Sequence, residues 1–276
     1  MNVSMKVELI LDAKAELAEG PNWCELRQRL IWVDILGKQI HFLDLETGED
    51  DFIQLDVLVS AAWPYRDSKT LVIATECGVG ILDEITRKID WISDPESDKS
   101  TNRFNDGKIG PDGKFWSGTM QIDGKGEGEG ALYRFDLEKR TFEKILSNVG
   151  LSNGLDWHGD KFYFVDTHQL RIDIFDFKEG VISNRRPFYQ VDKGFPDGLC
   201  VDKDGSVWLA QWGAGKISHI SKAGELLTSV DVPAVNVSSV FKLEHKLIIS
   251  TACDYVDDKL VDMKLRSGSI YSLSLA

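Results

Sequence analysis

Six short apolar runs recur along the chain at nearly even intervals. They begin at Leu30 (LIWVDI), Leu71 (LVIATE), Phe115 (FWSGTM), Phe162 (FYFVDT), Val207 (VWLAQW) and Leu247 (LIISTA), spaced 41, 44, 47, 45 and 40 residues apart. After a turn each is followed by an alternating partner: QIHFLDL from Gln39, GIL from Gly80, ALYRFDL from Ala131, RIDIFDF from Arg171, KISHIS from Lys216 and SIYSLSL from Ser269. Period-2 alternation marks strands with one buried face. Further strands follow in places, as at 49–55 and 224–230, and Asp-Gly and Thr-Gly pairs punctuate the joins as tight turns require. No helical period of useful length interrupts the pattern. A repeat of about 40–50 residues holding about four strands is the sequence form of a propeller blade. The spacing therefore predicts an all-β fold, a six-bladed β-propeller, occupying residues 1–276 as a single domain.

The two ends fit the same count. VELIL at Val7–Leu11 is an apolar strand ahead of the first repeat, and the last repeat stops at Leu275 without a fourth strand of its own. The N-terminal strand is expected to complete the last blade, hiding edges that would otherwise invite aggregation.

Charge and cysteine content exclude several classes of function. With 32 basic and 45 acidic residues the net charge is −13, which disfavours a phosphate-backbone partner. No basic leader or long apolar segment occurs, so a cytoplasmic protein without a membrane partner is expected. Cys24, Cys77, Cys200 and Cys253 are isolated in sequence and are read as buried free thiols. No obligate protein partner is evident. The eight tryptophans are read as filling the spaces between blades.

In a propeller the first strand of each blade runs beside the axis, so equivalent positions in successive repeats converge. Eight to eleven residues before the apolar runs stand Glu19, Ser60, Asn105, Asn153, Asp197 and either Asn236 or Ser238. Any one Asx-Gly pair is an ordinary turn, but acids and amides at one phase of several repeats are not explained by turns. Crowded at an axis they require a positive charge. Oxygen donors without Cys or His favour Ca²⁺, Mg²⁺ or Mn²⁺, while leaving Zn²⁺ and Fe²⁺ open.

The segments Ala18–Trp23 (AEGPNW), 102–108 (NRFNDGK), 118–120 (GTM), 151–157 (LSNGLDW) and 196–200 (PDGLC), in this order with LIWVDI, resemble the SMP-30/gluconolactonase/luciferin-regenerating-enzyme-like family, which includes regucalcin. The likeness runs from about Leu17 to Tyr271. It implies a six-bladed propeller that opens sugar lactones at one divalent cation, calcium first among the candidates. It further implies that Glu19, Asn153 and Asp197 ligate the cation, that Asn105 lies beside it or contacts substrate, that Arg103 meets substrate, and that Asp123 stands near the place where many relatives have a substrate-binding glutamate. The glycine-rich stretch 121–130 resembles a flap over the mouth.

On that basis Asp197 is assigned two roles, ligand and proton acceptor for the attacking water. Arg103 and Asn105 orient the ring and stabilise the oxyanion. A metal-dependent esterase or phosphotriesterase on the same fold, and a non-enzymatic calcium-binding propeller, are the alternatives. No G-x-S-x-G elbow is present. The histidines are read as surface or strand residues, with His168 in a turn near the mouth.

Overall fold

The computed structural model describes residues 6–126, 128–254 and 266–275. Among them, β-strands form six four-stranded antiparallel sheets. Five are meanders in chain order: β2(Ala18–Cys24) to β5(Asp50–Gln54), β6(Val59–Pro64) to β9(Ile89–Ser93), β10(Asn102–Ile109) to β13(Thr141–Val149), β14(Ser152–His158) to β17(Val181–Gln190), and β18(Phe195–Val201) to β21(Leu226–Asp231). The sixth joins β22(Asn236–Leu243), β23(Lys246–Ala252) and β24(Ile270–Ser274) to β1(Val7–Leu11). The protein is a six-bladed β-propeller, and its last blade is closed by the N-terminal strand. In that blade Val7 pairs with Leu273 and Leu9 with Tyr271.

The repeated apolar runs are the second strands: β3(Arg29–Asp34), β7(Thr70–Thr75), β11(Phe115–Gln121), β15(Lys161–Asp166), β19(Val207–Trp212) and β23. Both their faces are buried, because alternate residues pack towards opposite neighbouring blades. In β3, Ile31 and Val33 join Leu71 and Ile73 of the second blade, while Leu30 and Trp32 join Ile248 and Ile270 of the sixth. A similar apolar cluster fills each of the other four joints. This explains why the runs read as continuously apolar while their partners alternate.

Two expectations need correction. Cys24 and Cys200 are buried, but Cys77 is exposed and Cys253 is only half-buried. Cys77 lies in the turn joining β7 to β8(Gly78–Asp83). Trp32, Trp116 and Trp208 are packed between blades, whereas Trp91 is 40% exposed and Trp212 lines the cavity described below. Among the described residues the helical element is one 3-10 turn, Thr167–Gln169, and no helix is long and apolar enough to cross a membrane.

Candidate active site at the propeller axis

Each inner strand carries a bulge at the same place. Pairing slips between Glu19 and Asn22, Val59 and Ala61, Phe104 and Gly107, Ser152 and Leu155, Pro196 and Leu199, and Val237 and Ser239. A bulge re-aims the residues it contains. Matching the residues opposite these slips places Glu19, Ser60, Asn105, Asn153, Asp197 and Ser238 at one register position. The sixth member is therefore Ser238 and not Asn236, which lies two residues earlier and donates to Asp254 O at 2.6 Å.

Four of the six, Glu19, Asn105, Asn153 and Asp197, are buried at the floor of a cavity of about 380 Å³. The two serines do not line it. Ser60 Oγ donates to Asn105 O at 3.0 Å and Ser238 Oγ to Ala18 O at 2.5 Å, so both hydroxyls tie an inner strand to its neighbour. Arg103 and Asp123 also line the cavity. Arg103 is buried and donates from Nη1 to Asn105 Oδ1 at 2.7 Å and Phe104 O at 2.9 Å. Asp123 is exposed at the rim, where it accepts from Lys125 N at 3.0 Å. Glu19, Arg103, Asn105, Asp123, Asn153 and Asp197, the residues to which the resemblance gave a ligand or substrate role, thus all line one cavity, and Ser60 and Ser238 do not.

The amides are held in one orientation. Asn105 Nδ2 donates to Asn153 Oδ1 at 2.9 Å and to Ser152 O at 2.7 Å. Asn153 Nδ2 donates to Thr167 Oγ1 at 2.8 Å, and that hydroxyl donates to Pro196 O at 2.9 Å. Thr167 is a residue the sequence reading missed; it follows the Val-Asp ending of β15, at the position held by Ile35 after β3.

Electrostatics at the floor are unbalanced. Burial, then the charges of Asp197 and Asp106, push the Glu19 carboxyl well above its ordinary range. Burial, then Asp106, does the same to Asp197. Burial raises Asp106 itself to about 7, against the pull of Arg103 and Lys108. Asp106 is a second residue the sequence reading passed over. It lines a separate cavity of about 30 Å³ with Gly20, Pro21, Leu155 and Leu199, one step further along the inner strands.

Glu19 and Asp197 lie buried together on the floor with Asp106 close by and Arg103 as the cavity's basic side chain, so ionising both floor acids calls for added positive charge, which a divalent cation supplies. Asp197 Oδ1 is buried with no hydrogen-bond partner among the described residues. A carboxylate oxygen so placed is costly unless something positive meets it. The donors are all oxygen, as a hard cation requires. No group of three or more His, Cys, Asp or Glu is placed to hold a metal ion among the described residues; the axial set instead combines two acids with an amide. These residues fit a divalent cation.

His168, in the 3-10 turn, lines the same cavity and fixes part of the glycine-rich stretch. Its Nδ1 lies 2.8 Å from Gly126 O and its Nε2 3.1 Å from Gly124 O. No feature of the sequence pointed to this contact.

The fold and site define a propeller with an axial cavity whose floor carries oxygen donors. The profile of the SMP-30/gluconolactonase/LRE-like region matches residues 17–252, and the chain belongs to this family. It is 34% identical over 244 residues to regucalcin of Danio rerio, covering 86% of this chain and 82% of that protein. It is 31% identical over 281 residues to the putative sugar lactone lactonase YvrE of Bacillus subtilis, covering 98% and 95%. A solved luciferin-regenerating enzyme superposes with a TM-score of 0.91 at 31% identity, covering 98% of this chain and 95% of that one.

Proposed function

We propose that this protein hydrolyses lactones at a divalent cation held on the cavity floor by Glu19, Asn153 and Asp197. The observation that carries the reading is the buried Asp197 Oδ1, without a hydrogen-bond partner among the described residues and set beside the buried Glu19 and Asp106. The name of the Bacillus subtilis relative, a putative sugar lactone lactonase, supports an aldonolactone as the first class to test. Calcium is the proposed ion, because the donor set is oxygen alone.

When bound, the cation supplies Lewis acidity to the ester carbonyl and acidity to water. Asp197 takes the proton from the attacking water and returns it to the ring oxygen as the acyl C–O bond breaks, so one water adds and a hydroxy acid leaves. Arg103, steadied by its bond to Asn105, directs positive charge at the oxygen that becomes negative. Asp123 at the rim meets the substrate's outer hydroxyls.

The test is pH-stat hydrolysis of glucono-, galactono-, xylono- and arabinono-lactones by chelator-stripped protein refilled with Ca²⁺, Mg²⁺, Mn²⁺, Zn²⁺ or Fe²⁺ in turn. A phosphotriester belongs in the same panel. Turnover above the spontaneous rate only after refilling is expected. Failure to open any lactone with any of these ions refutes the reading.

A further inference from the structure

Two residues before each floor position stands a second register-matched set: Leu17, Leu58, Arg103, Leu151, Phe195 and Asn236. Side chains two apart on a strand share a side, and the first five of these line the cavity above the floor. Four of the six are apolar. Trp212, the cross-strand partner of Phe195, and Ile122 extend this collar, and Phe195 and Ile122 stand 48% and 45% exposed.

The collar is held from behind. Leu17 N donates to Asp34 Oδ1 at 3.0 Å, Leu58 N to Glu76 Oε1 at 2.9 Å and Leu151 N to Asp166 Oδ1 at 3.1 Å. Carboxylates closing the second strands thus fix the apolar residues in place. The nearby donors have other tasks: Asn105 Nδ2 serves Asn153 and Ser152, and both ring nitrogens of His168 face the carbonyls of Gly124 and Gly126. Against Leu17, Leu58, Leu151 and Phe195 a hydroxyl gives up water without gaining a partner, the wall's carboxylates being confined to Asp123 and Asp254, whereas an alkyl or aryl group gains by leaving water.

We propose that the preferred substrates are lactones whose ring bears an alkyl or aryl substituent seated against the collar, rather than polyhydroxylated aldonolactones. The inference rests on the lactonase reading for the reacting ester and adds the class of group attached to it. Each methylene is worth about fourfold in binding when fully buried, and about twofold when half covered.

The experiment compares kcat/KM of the calcium-loaded protein for δ-valerolactone, δ-octalactone, δ-decalactone and glucono-δ-lactone. A rise of about eightfold from δ-valerolactone to δ-octalactone, with its three added methylenes half covered, is expected, and δ-octalactone should exceed glucono-δ-lactone. Phe195→Ser, at a half-exposed position, should cut the decalactone-to-valerolactone ratio several-fold with an unchanged melting temperature. A flat series, or preference for glucono-δ-lactone, overturns the inference and leaves the lactonase reading standing. If no lactone is opened, that reading falls, and calorimetry with the matching δ-lactams judges the collar alone. Affinity rising with alkyl length upholds it, and affinity independent of length overturns it.

Discussion

Asn105 Nδ2 reaches Asn153 Oδ1 at 2.9 Å across the joint between the third and fourth blades. Because Asn153 Nδ2 is taken by Thr167 Oγ1, the amide cannot flip without losing both bonds. The oxygen of Asn153 is thereby presented at the axis, and the hydroxyl of Thr167 becomes the part of the site that sets its direction.

Thr167→Val should expose that dependence. The substitution keeps the shape but removes the acceptor of Asn153 Nδ2 and the hydroxyl that donates to Pro196 O, which costs about 1–3 kcal/mol. Calcium affinity, read by calorimetry, should fall about tenfold or more because a group orienting a ligand is lost. Unchanged stability and affinity would remove Thr167 from the site.

Asp197→Asn should separate chemistry from folding. One of three mutually repelling buried carboxyls is neutralised, so in chelator the variant should melt at or above the wild-type temperature. Calcium should no longer raise that temperature, and kcat should drop by about 10²- to 10⁴-fold with the loss of the proton acceptor. Wild-type turnover in this variant is incompatible with the assignment.

The pH dependence of the cation-free protein follows from the same acids. Burial raises the Asp106 carboxyl from 3.8 to about 7, so across that window the folded chain keeps a proton that the unfolded chain has released. Stability conferred below the window is therefore lost as pH rises through it, and Glu19 and Asp197 act in the same direction. In chelator the melting temperature should fall between pH 5 and pH 8. Added calcium should raise it more at pH 8, since the ion binds the ionised acids. A cation-free protein that gains stability with rising pH would show that the fold's own basic groups already stabilise these carboxylates, and would remove the need for a cation.

Much of this was legible in the sequence because a propeller repeats its physics. Each second strand packs on both faces, so LIWVDI or FYFVDT stands out as apolar, and the floor residues could be found by counting back from it. The distinction between Asn236 and Ser238 depended on a bulge, which shifts register by less than the spacing between repeats varies. Asp106 hid inside Asn-Asp-Gly, which reads as a turn. Its signal was positional: the residue after the floor position is glycine at Gly20, Gly154 and Gly198, and an acid only at Asp106. Thr167 and His168 act across loops and strands distant in sequence, where no repeat marks them.

Gly154 shows how tightly the joint between the fourth and fifth blades constrains Asp197. A Cβ there would lie 2.5 Å from Leu199 N and 2.7 Å from Asp197 O, both backbone atoms that cannot rotate aside. Gly154 is not among the residues with positive φ, so any effect of Gly154→Ala comes from crowding and not from backbone strain. Overpacking of this kind costs about 1–3 kcal/mol. In a chain of this size that lowers the melting temperature by about 2–4 °C for each kcal/mol. The blades must part to admit the methyl group, and Asp197 moves with its strand, so calcium affinity and kcat/KM should fall together at temperatures where the variant remains folded. A variant that melts lower yet binds calcium as wild type would show that the cation site tolerates this displacement, and that Asp197 is positioned by something other than its contact with the fourth blade.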